Sequence, residues 1–169
     1  MTNYDTESRT TLDHFNKEVL VVPARDAWPI YKKHGIHAYI CQVGRAFQQV
    51  KYIAFYERNQ IHSLVPLILE QHDNVIFERG KYQGSLGELV DLAIGKCERP
   101  DWPYRWKWSV EKVFLLSAPD AAETVKLAQL VINDQKSKNG TRCAFVQCQR
   151  YVSLEALRRA KKTSDLCDK

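Results

Sequence analysis

The sequence predicts one α+β domain, a small mixed and mostly antiparallel, barrel-like sheet flanked by helices. Three observations point there. Short β-branched runs recur between turn residues. The stretch Val50 to Leu69 carries large side chains on both alternating faces. Two segments pair a capping signal with an apolar helical stripe. At 169 residues with 44% hydrophobic and 27% charged composition, a chain of this size buries a core without covalent staples.

Residues 1–17 read as a polar lead-in and 18–169 as the domain. Glu18 to Ala24 is an apolar run ending at Pro23 and predicts a buried strand. Arg25 to Lys33 predicts a helix or turn containing Pro29, and Gly35 stops it. His37 to Val43 predicts a second strand. Tyr52, Ala54 and Tyr56 alternate with Ile53 and Phe55, so the next strand has both faces covered. Arg58-Asn59-Gln60 is a turn of hairpin length, and Ile61 begins the return strand, which must bend or bulge at Pro66. Asn74 to Phe77 predicts a further short strand.

Ser85-Leu86-Gly87-Glu88 has the form of a capping box, followed by the stripe Leu86, Leu89, Val90, Ala93 and Ile94 up to Gly95. Asp120 and Glu123 repeat that logic and predict a helix over residues 121–133. Arg142 to Val152 predicts a strand, and Ser153 caps a last basic helix. No internal repeat or linker interrupts this order.

Net charge is +5 with a pI near 8.9, a modest surplus that favours polyanionic partners. The five cysteines form no CxxC pair, so they predict reduced thiols in a cytoplasmic compartment rather than a zinc site. The opening MTNYDTESRTTLDHF lacks the pattern of a signal peptide, and no apolar window reaches membrane-span length. No cofactor, metal site or membrane partner is expected.

Trp102-Pro103-Tyr104-Arg105-Trp106-Lys107-Trp108 holds three of the four tryptophans. Extended, it would set Trp102, Tyr104, Trp106 and Trp108 on one face and Arg105 and Lys107 on the other. Such a face could stack on bases while cations hold phosphates. It could equally close a core. A second basic–aromatic region combines Arg45, Lys51, Arg58, Arg79 and Lys81 with Phe47, Tyr52, Tyr56 and Tyr82. Motifs for nucleotide loops, hydrolases and metalloproteases are absent. Asp73 with Glu78-Arg79-Gly80-Lys81 only approximates a nuclease set, because Glu78 and Lys81 would face opposite sides of a strand. His62 and His72 read as surface residues. No catalytic residue is assigned.

The run Val50-Lys51-Tyr52-Ile53-Ala54-Phe55-Tyr56, then Gln60-Ile61-His62 and Val65-Pro66-Leu67-Ile68, with a later strand Val113-Phe114-Leu115-Leu116, resembles PUA-like domains of the EVE and ASCH type. The resemblance spans roughly residues 36–152 and rests on hydrophobic pattern with Phe55, Tyr56 and Ile61. It implies a curved barrel with a concave pocket for nucleic acid, often for a modified base. Arg45, Tyr52, Tyr56, Trp106 and Trp108 are its implied lining. The expected function is a nucleic-acid-binding module, DNA or RNA, that takes a modified or flipped base in an aromatic pocket. Ligand contacts are expected from Arg45, Tyr52, Tyr56, Trp102, Tyr104, Trp106 and Trp108, and phosphate contacts from Lys51, Arg58, Arg105 and Lys107. The alternatives are a nuclease or nucleotide-processing enzyme, and a nucleotide-ligand-binding protein of a phage or bacterial defence system.

Overall fold

Strand β1 (Val19–Pro23) explains the layering, because its alternate residues enter two different cores. In the computed structural model, which describes residues 17–167, Val19 and Val21 face one side of the sheet and Leu20 and Val22 the other. Strand β3 (Tyr52–Glu57) lies parallel to β1 and divides in the same way: Ala54 and Tyr56 join the first core, Ile53 and Phe55 the second. The expectation of a strand covered on both faces therefore holds. The predicted lead-in falls, except for Lys17, outside the described residues.

Between β1 and β3 the chain forms helix α1 (Ala27–Lys33) and strand β2 (Ala38–Gln42). Pro29 fits α1 because it sits in the first turn, where backbone N–H groups have no partner inside the helix. A two-residue turn joins β3 to β4 (Gln60–Ile61), with Arg58 and Asn59 at φ of 51° and 61°. That geometry suits the hairpin twist, and an arginine there carries about 1–2 kcal/mol of backbone strain.

Pro66 separates β5 (Leu64–Val65) from β6 (Ile68–Ile76). The chain still pairs with β3 across this break: Ile53 N–H donates to the Pro66 carbonyl, and Ile68 N–H to the Lys51 carbonyl. These bonds fold the sheet over on itself. The predicted strand at 74–77 proves to be the end of β6, beyond a register shift between His72 and Val75.

Helix α2 (Gly84–Cys97) precedes β7 (Val110–Leu116), which lies between β2 and β6. Val113 and Leu115 pack beneath α2, while Phe114 and Leu116 face β1 and β3 across the middle core. Each such large buried apolar side chain contributes about 1.5–3 kcal/mol. On the far side, Phe145, Val146 and helix α3 (Leu154–Arg159) cover the first core. The chain is thus an α+β fold with a curled, mostly antiparallel sheet.

Four expectations are corrected. Residues 121–133 form no helix: β8 (Val125–Lys126) pairs with β5, and β9 (Val131–Ile132) pairs with β4. The Ser85 and Glu88 capping box does not form, since the helix starts at Gly84 behind Gln83 with no side-chain cap. That helix also runs past Gly95 to Cys97, because Gly95 keeps helical geometry with open space beside it. The strand expected over 142–152 is reduced to β10 (Arg150–Val152), antiparallel to β1. Ser153 does cap α3, its hydroxyl accepting the Ala156 N–H at 3.0 Å.

Candidate functional site

The parallel strands β1 and β3 end side by side, with Pro23 opposite Tyr56 and the Ala24 N–H donating to the Tyr56 carbonyl at 2.8 Å. Beyond that bond the two chains part. One turns through Arg25 and Asp26 into α1, the other through Arg58 and Asn59 into β4. The gap between them is a cleft of about 530 Å³ lined by Arg25, Asp26, Tyr56, Glu57, Arg58 and neighbouring apolar residues. Loops leaving a rigid strand pair are where binding groups are commonly placed.

Tyr56 contributes to the lining, while its side chain belongs to the first core and its hydroxyl is anchored there. That oxygen accepts from Asn133 Nδ2 at 3.0 Å and from the Phe145 N–H at 3.2 Å. Glu57 is held on two sides: His62 Nε2 lies 3.1 Å from Oε2, and Arg58 Nε 3.5 Å from Oε1. Trp28 stacks flat on His62. Burial pushes the His62 pKa below its ordinary value, and the hydrogen bond to Glu57 opposes that shift. His62, expected at the surface, is therefore a packed positioning group.

On the other wall, Asp26 bonds to the Tyr104 side chain, with Arg25 close enough to act on the same phenol. Burial first, and then the Asp26 charge, raises the Tyr104 pKa. Among the described residues Arg25 has no ion pair, and the Arg58 side chain is 86% exposed. Two guanidiniums thus border one cleft with donors left over, a geometry suited to the oxygens of a phosphate. The two carboxylates beside them can accept base N–H or hydroxyl protons.

No family model, curated protein or solved structure matches the chain.

Of the residues singled out from sequence, Tyr56 and Arg58 line this cleft and Tyr104 reaches it through Asp26. The aromatic segment is not the extended strand that would have aligned its rings. Trp102 and Trp106 are 4% and 8% exposed and pack under α2. Tyr104 stacks on Trp106 with planes 8° apart. Trp108 turns the other way, 65% exposed on a backbone with φ of 67°. Arg105 donates to the carbonyls of Trp102 and Tyr104, which braces the loop. Lys107 is exposed beside Trp108.

The remaining residues lie apart from the cleft. Tyr52 packs partly against the first core, and Lys51 pairs with Glu18 at 3.4 Å. Arg45 bridges the Tyr39 hydroxyl and the Cys148 carbonyl. Arg79 and Lys81 are paired with Glu98 and Glu78. Sequence reasoning missed Arg25, Asp26 and Glu57. The available signal was a charged pair directly following a buried strand, at its carboxyl end. Among the described residues, no three His, Cys, Asp or Glu side chains gather as a metal site, and no helix is long and apolar enough to cross a membrane. All five cysteines are free.

Proposed function

We propose that this chain is a nucleic-acid-binding module of PUA-like type that holds one nucleotide unit in the cleft between β1 and β3. The supporting observation is the meeting of Arg25 and Arg58 with Asp26, Glu57 and Tyr56 around a cavity of about 530 Å³. Arg25 and Arg58 take the phosphate. Asp26 and Glu57 accept polar hydrogens of the base or sugar, which suits a flipped or modified base with its pairing edge free. Trp108, with Lys107 beside it, offers a separate stacking face for a neighbouring base. A cytoplasmic setting suits five free thiols.

The cleft volume also lies in the range of small-molecule sites, about 300–1,000 Å³. That favours, as a second reading, a free nucleotide ligand. Fluorescence anisotropy of labelled single-stranded oligonucleotides of increasing length separates the two. A polymer-binding module gains affinity with length at low salt. A nucleotide-ligand protein binds the mononucleotide as tightly as the longer strands. Absence of binding to every probe contradicts both.

A further inference from the structure

A second cavity, of about 330 Å³, shares no lining residue with the cleft. Its walls include Gly44, Arg45, Asp73, Asn74 and Lys112. It lies where the loop after β2 closes against the β6–β7 pair. Asp73 and Asn74 fall within the register shift of β6, with Asn74 at φ of 54°, so the bulge turns these residues out of the ladder.

Lys112 is the unusual member. Its side chain is only 10% exposed, on a strand whose next inward residue is the core Phe114. Burying an ammonium group is costly unless it is well compensated. Its carboxylate partner, Asp73 at 2.8 Å, is itself 58% exposed and partly solvated. The cross-strand neighbour Cys41 does not add a negative charge, since burial pushes its thiol up to about 11. Arg45 adds a second cation, but among the described residues its hydrogen bonds go to neutral oxygens, those of Tyr39 and Cys148. Burial likewise holds the Tyr39 phenol up at about 12. Phe47 lies within 5.7 Å of the Arg45 guanidinium and 5.4 Å of the Lys112 ammonium. Glu111 also acts on this region through its charge, although burial raises its own pKa and so favours its neutral form. The groups lining the cavity carry two positive charges against one negative.

We infer that this cavity is a phosphate-binding site, in which Arg45 and Lys112 hold the oxyanion and Asp73 restrains its affinity. The source of the phosphate is either a free ion or a nucleic-acid backbone.

The test is titration of the isotopically labelled full chain with inorganic phosphate at constant ionic strength, reading the Gly44 and Arg45 amide signals. Saturable shifts that chloride does not reproduce are expected. Lys112→Met weakens them at least tenfold. Asp73→Asn, which removes a repelling charge at an exposed position, strengthens binding by about fivefold. That gain cannot arise from misfolding, so it decides the matter if Lys112→Met fails to fold. Arg58→Gln, which alters the cleft, leaves the Gly44 and Arg45 response as in the unsubstituted chain. A parallel titration with a short single-stranded oligonucleotide identifies the source, because a backbone site responds to it at lower concentration than to the free ion. Non-saturating shifts with both probes, or an Asp73→Asn response equal to that of the unsubstituted chain, would overturn the inference.

Discussion

Trp28 lies flat on His62, ring centroids 3.9 Å apart and planes within 10°, and so fixes the imidazole against Glu57 at the rim of the cleft. This stack links α1 to the β3–β4 hairpin. It also keeps His62 largely out of water, which disfavours its charged form. The folded pKa therefore lies below the ordinary 6.5. The stabilising effect of this neutral histidine is complete above 6.5 and is lost as pH falls from there through the folded value. An NMR titration is expected to place the His62 midpoint below 6.5, and Glu57→Gln to lower it further by removing the charged hydrogen-bond partner that opposes the shift. A midpoint above 6.5 contradicts this arrangement.

Two of the three glycines of α2, Gly87 and Gly95, differ in their surroundings. A Cβ on Gly87 would meet the Tyr82 carbonyl oxygen at 2.3 Å, whereas one on Gly95 meets nothing within 4 Å. Gly95→Ala is expected to stabilise the protein by about 0.5–1 kcal/mol. Gly87→Ala is expected to destabilise it by about 1–3 kcal/mol, since the backbone must move apart. Urea unfolding of both variants measures the difference, and equal effects would contradict the close packing of the 82–87 segment.

Trp106 and Trp108 are only two residues apart and serve opposite purposes. Trp106→Ala opens a cavity in the core beneath α2 and is expected to cost about 3–5 kcal/mol of stability. Trp108→Gly relieves a left-handed backbone and leaves stability unchanged or up to about 1 kcal/mol higher. The same glycine variant is expected to weaken single-stranded oligonucleotide binding by about 1–3 kcal/mol if Trp108 stacks on a base. Thermal unfolding paired with anisotropy reads both effects. Unchanged binding would remove Trp108 from the interface.

At the other end of the chain, Asp134 accepts from the Ser164 N–H at 2.9 Å, the Ser164 hydroxyl at 2.6 Å and the Thr163 hydroxyl at 3.0 Å. These bonds hold its carboxyl below the ordinary 3.8. Unfolding raises that pKa, so the contribution to stability is present above 3.8 and lost as pH falls through the lower folded value. Asp134→Asn is expected to reduce hydrogen-exchange protection of the Ser164 amide at neutral pH. Undiminished protection would show that the docking of residues 163–166 does not depend on this carboxylate.

The elements legible in the sequence are those whose side chains alone dictate their state. β1, β3 and β7 carry apolar residues on both faces, a pattern that only a covered strand satisfies. The segment 121–133 was misleading because Val125, Ala128, Val131 and Ile132 can be read at helical spacing. The fold instead uses Val125 and Val131 as edge partners of Val65 and Ile61, and β-branched residues suit that role. Thr124, which bonds the Ser117 hydroxyl and the Ala118 carbonyl, fixes a turn where the helix would have begun.

The site was legible only in part, for a different reason. Tyr56 and Arg58 stand out as an aromatic and a cation around a turn. Arg25 and Asp26 gain their significance only from the parallel pairing of β1 with β3, which joins residues about thirty positions apart. The tryptophan-rich segment carried composition without direction: two of its three tryptophans serve the core and one meets solvent.

The central claim is that Arg25 and Arg58 hold the phosphate of a bound nucleotide, and the salt dependence of oligonucleotide binding tests it most directly. The double variant Arg25→Gln/Arg58→Gln is expected to weaken binding at low salt. It is also expected to lower the slope of log affinity against log salt by about 0.7 for each phosphate that is no longer neutralised. A double variant that remains folded and binds with the affinity and salt slope of the unsubstituted chain would contradict the assignment of the cleft.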